Sequence, residues 1–462
     1  MKRVDGLDRL FVPSSLAMVG ASKNVEKSGG LFLKDLIASG FKGKLYPVNP
    51  RESEILGLRC YASIADIPGE VDLAIITVPA GLVPQVIAEC NQKGVRYAVV
   101  HSAGFSELGA EGLKLEKEMV QSARQGDIRI IGPNCMGIFS PQAGINTIAP
   151  RVTFTKEMGP VGFVGQSGWV VENVIEIGYE RGLRFSKAVS IGNQSDLTSE
   201  DLLEYLANDD DTKVIGFYIE GIKRGREFFQ LARQVSKKKP VVVWKSGSSE
   251  VGVRAAASHT GSLAGNSVVF DAAMKQSGIN IARNLDELID LLVGFTCPVL
   301  PASRRVGLLV ESGGGAVAGA DAAEEMGLEV PTLSAEIQEE LIDRLEGTIP
   351  PFSRPRNPVD LVWVTNADEA DAYVECARIM LKEVDALVVV VYAELNGHFA
   401  TELANLQNRV GRPIFFVPAR VGRQGTRMSL LTRSGIPTFT IPERAIKALS
   451  TVVAYSEYRA QA

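Results

Sequence analysis

Short runs of Val, Ile and Leu alternate along almost the whole chain with stretches whose apolar residues recur every three or four positions. Brief continuous apolar runs between helical patterns mark strands buried on both faces of a parallel sheet. In the first third the runs predict strands at Leu16–Val19, Lys44–Val48, Leu73–Val78, Tyr97–His101 and Ile128–Ile131. Amphipathic helices lie between them, among them Leu31–Ser39 and Val83–Lys93. This predicts a Rossmann-like domain closing near residue 140. A Pro- and Gly-marked connection from Pro141 to Pro160 leads into a second α/β set, Val161–Val164, Lys187–Ser190, Val214–Ile219 and Val241–Lys245, ending near Pro298–Ser303. A third set opens at Val306–Val310 and continues with Ala386–Val391 and Ile414–Val417, and the prolines of Ile349–Pro358 predict an irregular loop within it. The expected domains are residues 1–140, 141–300 and 301–462, in keeping with about three domains for 462 residues.

Composition narrows the class. Apolar residues make up 45% and charged residues 22%, which is ordinary for a water-exposed globular chain. No apolar run is long enough for a transmembrane helix, and the N-terminal MKRVDGLDRLF has no apolar core of a signal peptide. Cys60, Cys90, Cys135, Cys297 and Cys376 are scattered, without metal-ligand spacing, and are expected as buried thiols of a reducing compartment. A formal net charge of −5 argues against a nucleic-acid surface. The expectation is a cytoplasmic protein with no metal site, membrane partner or nucleic-acid partner.

The first strand runs into Gly20-Ala21-Ser22 and then a helix. Small residues here let a phosphate approach the amides at the helix start. GxGxxG is absent, and the second strand ends in Pro47-Val48-Asn49-Pro50-Arg51, where an NAD site would place an acidic residue for the ribose. Arg51 suits an anionic 3′-phosphate better than a diol. The pattern favours a phosphorylated carrier such as CoA. NADP, or a glycine that merely turns the chain, remain alternatives, although nothing downstream supplies a hydride acceptor site.

Among three histidines, His398 sits in a polar stretch and His101 at a strand end. His259 differs, because it lies within Ala255-Ala256-Ala257-Ser258-His259-Thr260-Gly261-Ser262-Leu263-Ala264-Gly265. Small neighbours leave the imidazole approachable, whether as a nucleophile or as a helix cap. Glu220 ends the apolar run Val214–Ile219, so its carboxylate is expected at the carboxyl edge of the sheet. Gly165-Gln166-Ser167-Gly168 and Ser312-Gly313-Gly314-Gly315-Ala316 each join a strand to a helix, as phosphate cradles or as plain turns.

The stretch MVGASKNVEKSGGLFLKDLIASGFKGKLYPVNPR, together with ITVPA, HSAGFSE and GPNCMGI, resembles the CoA-binding domain of ADP-forming acyl-CoA synthetases and, more distantly, the succinyl-CoA synthetase alpha subunit. SHTGSLAG after Lys245-Ser246-Gly247 resembles their phosphohistidine loop, and NPVDL extends the likeness into the last third. The resemblance implies a Rossmann-like CoA-binding domain followed by two flavodoxin-like ligase domains with parallel sheets. It implies CoA contacts from Gly20, Ala21, Ser22, Lys27, Arg51, Val78, Pro79 and Ser102, although Glu26 stands before Lys27 where the family often has Pro. It implies His259 as the phosphorylated residue with Glu220 bonding its ring. Asn134, Ser167, Gly168, Gly313, Gly314 and Gly315 are then expected around phosphate, the two glycine turns matching paired phosphate-binding helices. One departure is Trp169-Val170-Val171-Glu172, where succinyl-CoA synthetase has a Tyr shortly after Ser-Gly; a succinate-type acid site is not expected.

The chain has no P-loop and no ATP-grasp segment. The resemblance therefore implies an ATP-grasp beta subunit that binds ATP or ADP with Mg, in an alpha2beta2 complex acting on acyl-CoA, with an acetate-type acid. A non-catalytic CoA-binding regulator of the same fold is the alternative.

Overall fold

The Val- and Ile-rich runs form three sheets, seen in a computed structural model that describes residues 6–149, 155–247, 249, 251–252, 267–347, 355–362, 369–391, 397–418 and 425–461. The described chain falls into two compact units, Met1–Glu176 with Arg184–Leu285, and Ile177–Leu183 with Asp286–Ala462.

The first unit begins with helix α1 (Asp8–Phe11), strand β1 (Ser15–Val19), helix α2 (Ser28–Ala38) and strand β2 (Lys44–Val48). A short hairpin, β3 (Glu54–Ile55) and β4 (Leu58–Arg59), precedes β5 (Leu73–Ile76), α3 (Val83–Lys93), β6 (Tyr97–Val100), α4 (Ala110–Arg124) and β7 (Arg129–Ile131). The first sheet has the order β2-β1-β5-β6-β7, parallel throughout. All five residues of β1 are buried, as helices on both faces require. The strand order reverses between β1 and β5, and that crevice at the carboxyl ends of the strands is where such sheets bind ligands.

The second sheet joins β8 (Gly137–Ser140), β9 (Ile145–Asn146), β10 (Val161–Gly165), β11 (Phe185–Ser190), β12 (Val214–Ile219), β13 (Val241–Lys245) and β14 (Asn280–Ala282), in the order β14-β13-β12-β10-β11-β8-β9. Helix α5 (Gly168–Glu180) follows β10. The segment read as a plain Pro/Gly connection contains β9, and β8 pairs antiparallel with β11, so this parallel sheet carries an antiparallel edge.

Two features bind the first sheet to the second. Residues 193–197 lie alongside 130–133, with the amides of Asn193, Ser195 and Leu197 donating to the carbonyls of Pro133, Gly132 and Ile130 at 3.0, 3.1 and 3.1 Å. Asp196 Oδ2 accepts from Arg129 Nε and from the Ile130 amide, both at 2.9 Å. At the far side Phe11 stacks on Tyr205 with centroids 5.2 Å apart, and the Tyr205 hydroxyl donates to Asp8.

In the second unit β15 (Val306–Val310), β16 (Val359–Asp360), β17 (Ala386–Val391) and β18 (Ile414–Pro418) form a parallel sheet in the order β16-β15-β17-β18. Among the described residues no helix is long and apolar enough to cross a membrane, and no cluster of His, Cys, Asp or Glu side chains is placed to hold a metal. All five cysteines are buried.

Candidate functional site

The turn after β1 is built for close approach. Gly20 takes φ +87°, and a Cβ added to Gly29, at the start of α2, would lie 2.0 Å from the Gly20 carbonyl oxygen. Only glycine lets this helix start lie against this turn, so the close packing that GxGxxG would supply comes instead from Gly20 and Gly29. The amides of Gly20 and Ala21 donate to Val48 at 3.0 and 3.3 Å, and Asn49 Nδ2 donates to the Ala21 carbonyl at 2.8 Å. Asn49 Oδ1 also accepts the Arg51 amide at 2.9 Å, so one side chain fixes both the first turn and the base of Arg51.

The remaining CoA-site candidates sit on the same edge. Ser22 accepts the Asn24 amide at 3.1 Å; Lys27 is exposed immediately before α2; Arg51 is exposed after β2. Val78 and Pro79 follow β5, and Ser102 follows β6 with its hydroxyl donating to the Val78 carbonyl. His101 is held at both nitrogens, Nδ1 2.7 Å from the Cys135 carbonyl and Nε2 3.1 Å from Ser28 Oγ. A carbonyl only accepts, so Nδ1 carries the proton and Nε2 accepts from Ser28. Burial lowers the His101 pKa below 6.5, opposed by the Cys135 bond, and the ring is neutral at pH 7.

A cleft of about 280 Å³ opens beside this edge, lined by His101, Ser102, Ala103, Asn134, Cys135, Met136 and Gly168. Three candidates drawn from distant stretches of sequence, Ser102, Asn134 and Gly168, thus line one space. A Cβ on Gly168 would lie 2.3 Å from Met136 Cγ, so the first residue of α5 has to be small for this contact. The amides that open α5 and the positive end of its dipole suit an anion.

Glu220 follows β12 and is buried. Gln166 fixes its backbone: Oε1 accepts the Glu220 and Gly221 amides at 2.7 and 2.9 Å, and Nε2 donates to the Gly221 carbonyl at 2.5 Å. Gln194 Nε2 reaches the same carbonyl at 3.2 Å. The sequence marks Gln166 only as part of the turn Gly165-Gln166-Ser167-Gly168 and leaves Gln194 unmarked. Beside them, burial raises the Tyr218 hydroxyl pKa, with Ser246 opposing and Glu220 adding. Burial lowers the Lys245 ammonium pKa, with the Glu220 charge opposing. His259 lies outside the described residues, as does the rest of the loop that carries it.

In the second unit Ser312 caps the helix Gly313–Glu325, its Oγ accepting the Gly315 amide at 3.1 Å, with Gly313 and Gly314 exposed. The Asp360 carboxylate lies close by, 3.6 Å from where a Cβ on Gly313 would stand. A like charge there weakens the attraction of this helix end for phosphate. His398 is exposed, 4.0 Å from Asp371.

Comparison with known proteins bears on this geometry. Residues 14–141 match the CoA binding domain model and residues 158–295 match the succinyl-CoA ligase like flavodoxin domain. The chain is 40% identical to the alpha subunit of the ADP-forming acetate–CoA ligase II of Pyrococcus furiosus, over 97% of each chain. It is 39% identical to the ADP-forming acetate–CoA ligase I of Archaeoglobus fulgidus, covering 98% of this chain and 64% of that one. The dinucleotide forming acetyl-coenzyme A synthetase 1 of Ca. Korarchaeum cryptofilum, solved in complex with phosphate and ADP, superposes with a TM-score of 0.87 at 35% identity, covering 98% of this chain and 97% of that one. The chain belongs to the family of the ADP-forming acetate–CoA ligase alpha subunits.

Proposed function

We propose that this chain is the CoA-binding, phosphohistidine-carrying subunit of an ADP-forming acyl-CoA synthetase, catalysing acyl-CoA + ADP + phosphate ⇌ acid + ATP + CoA with an acetate-type acid. The observation that carries the reading is the cleft in which Ser102 and Asn134, at the edge of the first sheet, meet Gly168 at the start of α5. A thioester carried by CoA and an attacking phosphate both need a place there.

Gly20, Ala21, Ser22, Lys27, Arg51, Val78, Pro79 and Ser102 hold CoA, with Arg51 on the 3′-phosphate. A phosphate oxygen attacks the thioester carbonyl carbon, and the carbon–sulfur bond breaks to release CoA and leave an acyl phosphate. Asn134, Ser167 and Gly168 hold the phosphoryl group by amides and a helix dipole, and Gly313, Gly314 and Gly315 are a second phosphate turn in the other unit. A His259 nitrogen then attacks phosphorus, the acid leaves, and Glu220 steadies the other ring nitrogen. In-line transfer to ADP completes the cycle and frees His259. Small residues on both sides of His259 leave its ring approachable by the acyl phosphate and by ADP in turn.

The nucleotide step belongs to a partner. Relatives of this length are named as alpha subunits, which supports a partner subunit; in this reading it is an ATP-grasp beta subunit carrying ADP and Mg, in an alpha2beta2 enzyme of the cytoplasm. The test is ATP formation by the complex from acetyl-CoA, ADP and phosphate. Strict dependence on all three is expected; an active complex that needs AMP and pyrophosphate instead contradicts the reading.

A further inference from the structure

The turn after β11 carries a carboxamide that holds a cleft residue. Asn193 Nδ2 lies 2.6 Å from Glu107 Oε2, 3.1 Å from Glu116 Oε2 and 3.1 Å from Ser106 Oγ, and its Oδ1 is 3.4 Å from Asn134 Nδ2. Ionised carboxylates only accept hydrogen bonds, so the NH2 end of Asn193 faces Glu107 and Glu116 and its carbonyl end faces Asn134. This in turn settles Asn134. Its Nδ2 faces Asn193, which leaves its Oδ1 and second N–H hydrogen for the cleft it lines.

The carboxylates are themselves fixed. Glu107 Oε1 accepts the Gly104 and Phe105 amides at 2.6 and 3.0 Å, leaving Oε2 for Asn193, and the buried Glu116 accepts the Ser106 amide at 3.2 Å. Burial acts to raise the Glu107 pKa, but the bonds from Asn193, Gly104 and Phe105 outweigh it and hold the carboxyl below its ordinary range. A charge-assisted bond at one end of an amide strengthens the acceptor at the other. Two negative charges thereby reach the cleft only as an oriented amide dipole, without the repulsion a carboxylate there would exert on phosphate.

We propose that Asn193 is a positioning residue for the ligase reaction: held by Glu107 and Glu116, it sets the orientation in which the Asn134 carboxamide meets the reacting groups. The proposal rests on the ligase reading above. Glu107 and Asn193 form a donor–acceptor pair that can be inverted. In Glu107→Gln, Oε1 keeps the two backbone amides but an NH2 now faces the NH2 of Asn193, which is left with Glu116 as its one carboxylate partner, and the amide orientation passed to Asn134 is loosened. In Asn193→Asp, the new carboxylate faces Glu107 and Glu116. Combined, the two substitutions restore one donor and one acceptor between positions 107 and 193, with Glu116 left facing the new carboxylate, and a side-chain oxygen at position 193 again accepts from Asn134.

The test is steady-state turnover of the reconstituted complex by wild type, the two single variants and the double variant. Each single variant is expected to lose about tenfold or more in kcat, with KM for acyl-CoA within about twofold of wild type, one charge-assisted bond being of that order. The double variant is expected to turn over faster than Asn193→Asp alone, although Glu116 still opposes the new carboxylate, and a merely structural contact would not show this gain. Wild-type kcat in the folded Glu107→Gln variant overturns the proposal, and so does a double variant no better than the poorer single. If Asn193→Asp does not fold, Glu107→Gln alone decides, because it exchanges only the atom facing Asn193. Wild-type turnover is measured first: its absence sinks the ligase reading and this proposal with it, whereas active wild type with unaffected variants sinks the proposal alone.

Discussion

Gln166 holds the peptide that carries Glu220, accepting the Glu220 and Gly221 amides at 2.7 and 2.9 Å and donating to the Gly221 carbonyl at 2.5 Å. Gln166 is buried and stands directly before Ser167 and Gly168. A single side chain thus ties the turn proposed to hold phosphate to the carboxylate proposed to hold the histidine. Gln166→Leu keeps most of the volume and removes all three bonds. Each buried amide left unpaired costs about 1–3 kcal/mol, which if felt in phosphoryl transfer amounts to about tenfold to a hundredfold or more in rate. Rapid-quench measurement of His259 phosphorylation is expected to show that loss with CoA affinity unchanged. Equal loss of both would place Gln166 in general folding.

Gly29→Ala addresses the first turn. The new methyl group would stand 2.0 Å from the Gly20 carbonyl oxygen, a backbone atom, so relief requires the helix to move. Overpacking of this kind costs about 1–3 kcal/mol. Lower thermal stability and weaker CoA binding by calorimetry are expected together. Gly81→Ala, with nothing within 4 Å of its Cβ, is the control and is expected to change neither.

The three sheets were legible because buried parallel strands need unbroken apolar runs, and Val214–Ile219 or Ala386–Val391 admit no other reading. β8 and β9 were not. Gly137–Ser140 and Ile145–Asn146 are short and flank Pro141; β9 pairs with β8, and β8 owes its place in the sheet to β11, whose sequence lies some fifty residues on. The candidate site divides in the same way. Glycine turns and exposed strand ends leave a local signature, so Gly20, Ser102 and Gly168 could be named. The bonding roles of Gln166, Asn193 and Gln194 could not, because a carboxamide's partners are set by which loops meet in space, as Gly221 and Glu107 meet them here.

Arg51→Ala is expected to weaken CoA about tenfold or more and dephospho-CoA hardly at all, since an Arg–phosphate bond is charge-assisted and only CoA carries the 3′-phosphate. Calorimetric titration of both ligands checks this. Equal weakening would move Arg51 away from the 3′-phosphate.

Asp35 on α2 gives a stability prediction with a defined sign. Burial raises its pKa from 3.8 to about 6, the neighbouring Lys34 opposing. Between these values the folded state binds more protons than the unfolded state, so this group makes stability fall as pH rises from 4 to 6 and stay low above. Asp35→Asn is expected to stabilise the protein at pH 7 by about 1 kcal/mol, discounted for partial exposure, and to have little effect at pH 4. Urea denaturation at both pH values checks it; equal effects would show that Asp35 titrates normally.

The most direct test of the account is phosphorylation of the chain itself. With radiolabelled ATP and Mg²⁺ the purified chain alone is expected to stay unlabelled, and with the proposed ATP-grasp partner to take up one phosphoryl group, acid-labile and base-stable as a phosphoramidate is. His259→Ala is expected to abolish the label and the overall reaction while leaving CoA affinity nearly unchanged, and His101→Ala and His398→Ala are expected to label still. Label on the His259→Ala chain in the complex, or on the wild-type chain without a partner, would contradict the account.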